Sequence, residues 1–267
     1  MPVAYLTIRA DPVYRREAFA AGLRAAGYDV RAHPGGATIN RGDILVQWNR
    51  YGEGHDLATR FESAGCQAII AENGFLGVDR ADRRIYALAD GHHQAGFWHV
   101  GDDDRFGRLS IPLEPWRTSG RHILIAPNRE FGMPGMIQPN MFAEHMARQL
   151  MKITDRPIKI RPHPGNNPPK IPFADDLRDC WAVVIWSSSA GVQALVAGVP
   201  VFCIAPYWVA RGATFQNLKL IDNPPLDTID RAKSFHALAW AQWHLWEIEQ
   251  GIPFKHLTGK PLQHAPA

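Results

Sequence analysis

Residues 182–204, AVVIWSSSAGVQALVAGVPVFCI, read as a buried strand, a serine-rich turn, a short helix, a glycine stop and a second buried strand. The apolar run 182–186 suits a strand covered on both faces, and Ser187, Ser188 and Ser189 fall where a helix would begin. Serines at that position can cap the helix. Its free N–H groups and the positive end of its dipole, with the added hydroxyls, offer a seat for a diphosphate. Gly191 is expected to keep the backbone open there. Val192, Leu195 and Val196 are placed toward the sheet, Gly198 ends the helix, and 199–204 return as a parallel strand. The unit is one βαβ step. The alternative is that the serines only cap a structural helix.

A second motif precedes it. Residues 159–165, KIRPHPG, follow an expected strand and put Arg161 and His163 on one loop, stiffened by Pro162 and Pro164. Arginine offers a planar fork to phosphate oxygens, and a neighbouring histidine can donate to a phosphate or leaving oxygen.

Together, RPHP at 161–164 and SSSAGVQALVAGVPV at 187–201 resemble the nucleotide-sugar half of two-domain, GT-B-type glycosyltransferases, particularly the capsular-polysaccharide and Kdo transferase-like branch. That family carries R-x-H-P followed by S-S-x-x-G-x-E-A-L-x-x-G-x-P-V. Gln193 stands where the family has Glu, placing an amide where a carboxylate would meet a ribose or sugar hydroxyl. The resemblance spans roughly 121–257 and includes a closing helix in AWAQWHLWEIEQGIPFKHL at 239–257. It implies an α/β fold of two Rossmann-like domains, GT-B-like, with the active site in the interdomain cleft. It also implies a UDP- or CMP-linked sugar as co-substrate.

Composition agrees with such a protein. A chain of 267 residues suits one large α/β domain or two small ones, and 46% hydrophobic with 21% charged residues is ordinary for a globule. The net charge of +3 permits an anionic partner without requiring one, because the basic residues are dispersed. Cys66, Cys180 and Cys203 form no C-x-x-C pair, which fits a reducing compartment. The opening MPVAYLTIRADP lacks a basic n-region and a cleavage site, and the longest nearly uncharged stretch is broken by serines, glycines and Pro200. A cytoplasmic protein with no membrane span is expected.

Along the chain, strands are expected at 3–8, near Val30, at 43–48 and at 68–71, with helices at 12–26 and 55–64. Phe19 and Leu23 share the apolar face of the first helix. Residues 79–84 and 102–108 read as charged loops. A boundary between 105 and 119 opens a second domain whose first strand is 122–126, followed by the loop NREFGMPG at 128–135 and a helix at 141–153. Ligands gather at such strand ends, so Arg129 is a candidate for the donor diphosphate. The expected division is an acceptor-side domain at 1–115, a nucleotide-sugar-binding domain at 116–230, a closing helix at 231–257 and a loose tail at 258–267. Trp240, Trp243 and Trp246 recur every three residues in that last helix, a spacing typical of core packing.

Transfer to a hydroxyl requires a general base near the acceptor and stabilisation of the departing nucleotide. Glu72, expected just past a buried strand with Asn73 and Gly74 turning it toward the cleft, is the first candidate base, and His163 is the second catalytic candidate. Asp90, His92 and His93 in LADGHHQAG, with Asn73, form an acceptor-side candidate cluster. The donor set is Arg129, Arg161, His163, Ser187, Ser188, Ser189, Gly191 and Gln193. No metal is expected, because His92 and His93 lack a third ligand nearby and 102–104 match no calcium-loop pattern.

The expected function is sugar transfer from a nucleotide-activated donor to a saccharide hydroxyl. An alternative acceptor is a hydroxylated or hydroxymethylated DNA base, as in viral base-modifying enzymes, with Arg80, Arg83, Arg84, Arg105 and Arg108 as basic contacts. A nucleotide-sugar epimerase and a non-catalytic nucleotide-sugar-binding protein are further alternatives. The motifs are silent on oligomeric state.

Overall fold

The computed structural model describes residues 1–76, 85–94, 96–130, 132–165 and 171–259. Its described residues divide into two units, those within 1–109 together with 237–259, and those within 110–236.

In the first unit, strands β1 (Val3–Leu6), β2 (Asp29–Arg31), β3 (Ile44–Trp48) and β4 (Gln67–Asn73) pair in parallel in the order β2-β1-β3-β4. Helices α1 (Arg16–Ala25) and α2 (Glu53–Ser63) connect them. β5 (Ile85–Asp90), a strand absent from the sequence reading, then adds antiparallel to β4. The short helix α3 (Arg105–Leu109) closes this part of the chain.

The second unit repeats the parallel pattern. Strands β6 (His122–Ala126), β7 (Ile158–Ile160), β8 (Cys180–Ile185) and β9 (Val201–Cys203) lie in the order β7-β6-β8-β9, every pair parallel. Helices α4 (Phe142–Leu150), α5 (Phe173–Leu177) and α6 (Ala190–Val196) link them. Beyond His122, β6 and β8 are apolar without interruption because both faces are covered. Ile123, Ile125, Ala182 and Val184 pack with Phe142, Met146 and Leu150 of α4. Val192 and Leu195 of α6 are fully buried, as read from the sequence, and Gly198, at φ +72°, ends that helix.

The C-terminal segment corrects the expected single helix. Helix α7 (Arg231–Ala239) gives way to β10 (Gln242–His244), which pairs antiparallel with β5 and so completes the first unit's sheet, before helices α8 (Leu245–Glu249) and α9 (Ile252–Thr258). Trp240 and Trp243 are core residues, but Trp246 is 53% exposed. Their three-residue spacing therefore spans a helix end, a strand and a second helix. Arg105, expected on a solvated loop, is buried with Glu247, its guanidinium 4.1 Å from the Trp243 ring centroid. No helix among the described residues is long and apolar enough to cross a membrane. Of the tail expected at 258–267, Thr258 instead ends α9, and the residues beyond 259 lie outside the described residues.

Candidate functional site

In the second sheet β6 is flanked by β7 on one side and β8 on the other, so the connections leaving β6 and β8 depart around a point where the strand order reverses. Carboxyl ends of strands at such a point are where open α/β sheets take ligands. One side chain ties the two loops together there. Asn128 donates from Nδ2 to Ser187 Oγ at 3.2 Å and accepts the Ser187 N–H at Oδ1 at 3.1 Å. Its own N–H donates to Oε1 of the buried Gln138 at 2.7 Å, and Trp186 Nε1 donates to the Met136 carbonyl at 2.9 Å. The loop after β6 is thereby folded back onto the serine turn.

Beside this clasp lies an open groove of about 580 Å³, walled by Asn128, Arg129, Glu130 and Gln138, by Met141, Phe142 and Glu144 at the start of α4, and by Ile160, Pro162, His163 and Gly165. The backbone of Gly165 braces both basic groups. Its carbonyl accepts from Arg129 Nη2 at 2.6 Å, and its N–H donates to His163 Nδ1 at 3.0 Å. Partial burial, then the charge of Arg129, lowers the His163 pKa below the ordinary histidine value. With Nδ1 accepting, the neutral ring carries its proton on Nε2, leaving a hydrogen-bond donor beside a guanidinium.

Other donor candidates are placed differently. Arg161 is ion-paired with Asp176, donates to the Ile171 carbonyl at 2.8 Å and is not among the groove-lining residues, so its fork is engaged within the unit. Ser187 and Ser188 are buried and Ser189 is exposed. Ser189 precedes α6 without a side-chain cap bond, whereas Ser188 Oγ accepts only distantly from the Ala190 N–H, at 3.4 Å. Gly191 does not keep the backbone open. A Cβ there would lie 2.6 Å from Ile185 Cδ1 and 2.8 Å from the Trp208 ring, so its role is close packing of α6 on the sheet. Gln193 is exposed on α6.

In the first unit, Glu72 lies within β4 rather than beyond it, paired in register with Ala87. Its Oε1 accepts from the Asn73 N–H at 2.7 Å and from Asn73 Nδ2 at 3.0 Å. Asp90 ends β5 and is 8% exposed; its carboxylate accepts the Ala68 N–H at 3.0 Å and so braces the end of β5 against β4. His92 and His93 stack at 4.3 Å. Burial, then the nearby Arg50 and His55, lowers His92 to about 4, and burial lowers His93 well below its ordinary value. Both rings are thus packed and neutral instead of facing solvent. No three His, Cys, Asp or Glu side chains converge on a point among the described residues. Burial raises Cys180 to about 12 and Cys203 to about 11, so neither supplies a thiolate nucleophile. Of the basic DNA-contact candidates, Arg80, Arg83 and Arg84 lie outside the described residues, Arg105 is buried, and Arg108 sits 3.6 Å from Asp103 at the surface.

Sequence reasoning missed Asn128, Gln138, Met141 and Glu144. Only the position of 128–135 at a strand end hinted at them, since an uncharged Asn or Gln in a loop carries no signal of its partner.

No protein-family model and no curated protein matches the chain. Solved structures do. The beta Kdo 2,7 transferase of KpsC from Thermosulfurimonas dismutans is 14% identical with a TM-score of 0.55, over 96% of this chain and 100% of that one. The beta Kdo 2,4 transferase of the same organism's KpsC is 13% identical with a TM-score of 0.51, over 90% and 89%. At these identities the likeness is one of fold. The Kdo transferase-like resemblance carried by RPHP and the serine turn therefore extends, as architecture, over nearly the whole chain.

Proposed function

We propose that this protein is a glycosyltransferase of GT-B-like organisation, two Rossmann-like units of which the second holds a UDP- or CMP-linked sugar and the first receives the acceptor. The observation that carries the reading is the groove at the carboxyl ends of β6 and β7, where the backbone of Gly165 holds both Arg129 and, through Nδ1, the ring of His163. A guanidinium and a neutral imidazole donor suit the phosphate oxygens of a nucleotide. In the transfer step the acceptor oxygen attacks the anomeric carbon, and Glu72 takes its proton. The bond from that carbon to the phosphate oxygen breaks, and Arg129 and His163 stabilise the charge left on the nucleotide. No metal is required by this arrangement.

A saccharide acceptor is favoured over a DNA base. Both similar structures are named for sugar transfer, and Arg105, one of the residues a DNA-binding face would have used, is buried against Glu247.

The test is thermal unfolding in the presence of UDP, CMP, GDP and their sugar conjugates, repeated with Arg129→Ala and His163→Ala. A nucleotide at a hundred times its dissociation constant stabilises by about 2.7 kcal/mol. A shift from one nucleotide family, lost in both variants, supports the reading and selects the donor for assays with glycan and DNA acceptors. No shift with any nucleotide would sink it.

A further inference from the structure

The groove carries charge of both signs. Arg129 and His163 stand on its loops, while Glu144 lines it from the first turn of α4. A carboxylate facing an anion's seat is repelled by the anion, so it is favourable there only where the ligand presents hydrogen-bond donors. Glu144 is exposed, and none of the hydrogen bonds or ion pairs among the described residues engages its carboxylate. It sits on a regular helix whose buried face, Phe142, Met146 and Leu150, is locked into the core, which holds the carboxylate's base in place. Met141 and Ile160, 49% and 43% exposed, give the same groove apolar surface against which a planar base can lie.

These neighbours suit a ligand that combines an anion, hydrogen-bond-donating hydroxyls and a flat apolar ring. The residue expected to meet such a hydroxyl, Gln193, is not among those lining the groove. We propose that Glu144 binds the ribose hydroxyls of the donor nucleotide, so that the groove selects a ribonucleotide over its 2′-deoxy counterpart. This rests on the reading of the groove as the donor's seat. Glu130 lines the groove too but follows Arg129 on the loop, and it is the control.

The experiment is titration calorimetry of the whole protein with UMP, CMP, dUMP and dCMP, on the wild type, Glu144→Ala, Glu130→Ala and Arg129→Ala. The wild type is expected to bind one ribonucleotide about tenfold tighter than its deoxy form, the worth of one charge-assisted hydrogen bond. Glu144→Ala is expected to abolish that preference while leaving the melting temperature of the free protein unchanged. Glu130→Ala keeps the preference, and Arg129→Ala weakens ribo and deoxy forms alike. A preference that survives in Glu144→Ala, or is lost instead in Glu130→Ala, overturns the assignment. Equal binding of ribo and deoxy forms by the wild type overturns the ribose contact and leaves the donor groove standing. Binding of none of the four overturns both.

Discussion

Arg105 and Glu247, 142 residues apart in sequence, form a two-pronged buried ion pair, Nη1–Oε1 at 2.7 Å and Nη2–Oε2 at 2.6 Å. Each side chain is less than a tenth exposed. Arg105 also donates to the carbonyls of Ala239 and Gln242, and Glu247 Oε2 accepts the His244 N–H at 2.8 Å, so both charges have their hydrogen bonds satisfied. The pair locks α3 to the C-terminal segment. Removing one partner strands a buried charge. Arg105→Ala or Glu247→Ala is therefore expected to cost about 3–5 kcal/mol in urea unfolding, and the apolar double variant Arg105→Met/Glu247→Leu to recover most of that. A double variant no more stable than the singles would contradict this account.

Gly22 lies where α1 meets α8, and a Cβ there would overlap the Ile248 carbonyl oxygen. Gly→Ala inside an exposed helix ordinarily gains about 1 kcal/mol. Here the obstruction is backbone, which cannot swing aside, so Gly22→Ala is expected to destabilise by about 3 kcal/mol. A rise in melting temperature would show that α8 moves away without cost.

His92 is buried and held near pKa 4, against about 6.5 in the unfolded chain. The unfolded state binds the proton first as pH falls. Stability attached to this ring is complete above pH 6.5 and declines toward pH 4, by about 3 kcal/mol for a shift of this size. Urea midpoints at pH 7.5, 6, 5 and 4 should fall across that window, and the slope should lessen in His92→Gln. An unchanged slope assigns the acid sensitivity elsewhere.

Asn128→Ala removes both bonds to Ser187. With both Asn128–Ser187 hydrogen bonds lost, a stability loss of about 1–2 kcal/mol is expected, with weaker nucleotide binding because the groove's edge is no longer fixed. Calorimetry of the variant with the nucleotide selected by the wild type checks this; unaltered affinity would make the clasp purely structural.

Glu72→Gln keeps shape and removes the base. Under the proposed function its transfer rate should fall at least about a hundredfold while donor binding and melting temperature stay unchanged. A fully active variant would move the base to another residue.

Much of the parallel architecture was legible because its signals are local. The runs 123–126 and 182–185 are apolar without alternation, as a strand covered on both sides tolerates, and Gly198 marks the helix stop by needing a left-handed backbone. The groove's Arg129 and His163 were legible for a similar reason, each being a charged or titratable residue at the end of an expected strand. Arg161 belongs to the same motif, yet the partner that engages it, Asp176, comes from α5, which the sequence reading did not contain.

The sequence alone determined most of the strand and helix order, short of β5, α5 and the C-terminal segment, and the loops at which basic groups collect, because strand, helix and stop are set by residues within a few positions of one another. Tertiary structure alone decided that 242–244 joins the first sheet, that Arg105 is buried rather than solvated, that Gly191 packs rather than opens, and that Asn128 fastens Ser187. Each of those outcomes depends on a partner distant in the chain. Side chains such as Asn128, Arg105 and Gln242 can satisfy their polar atoms in many ways, and only the packed backbone presents the one set of donors and acceptors within reach.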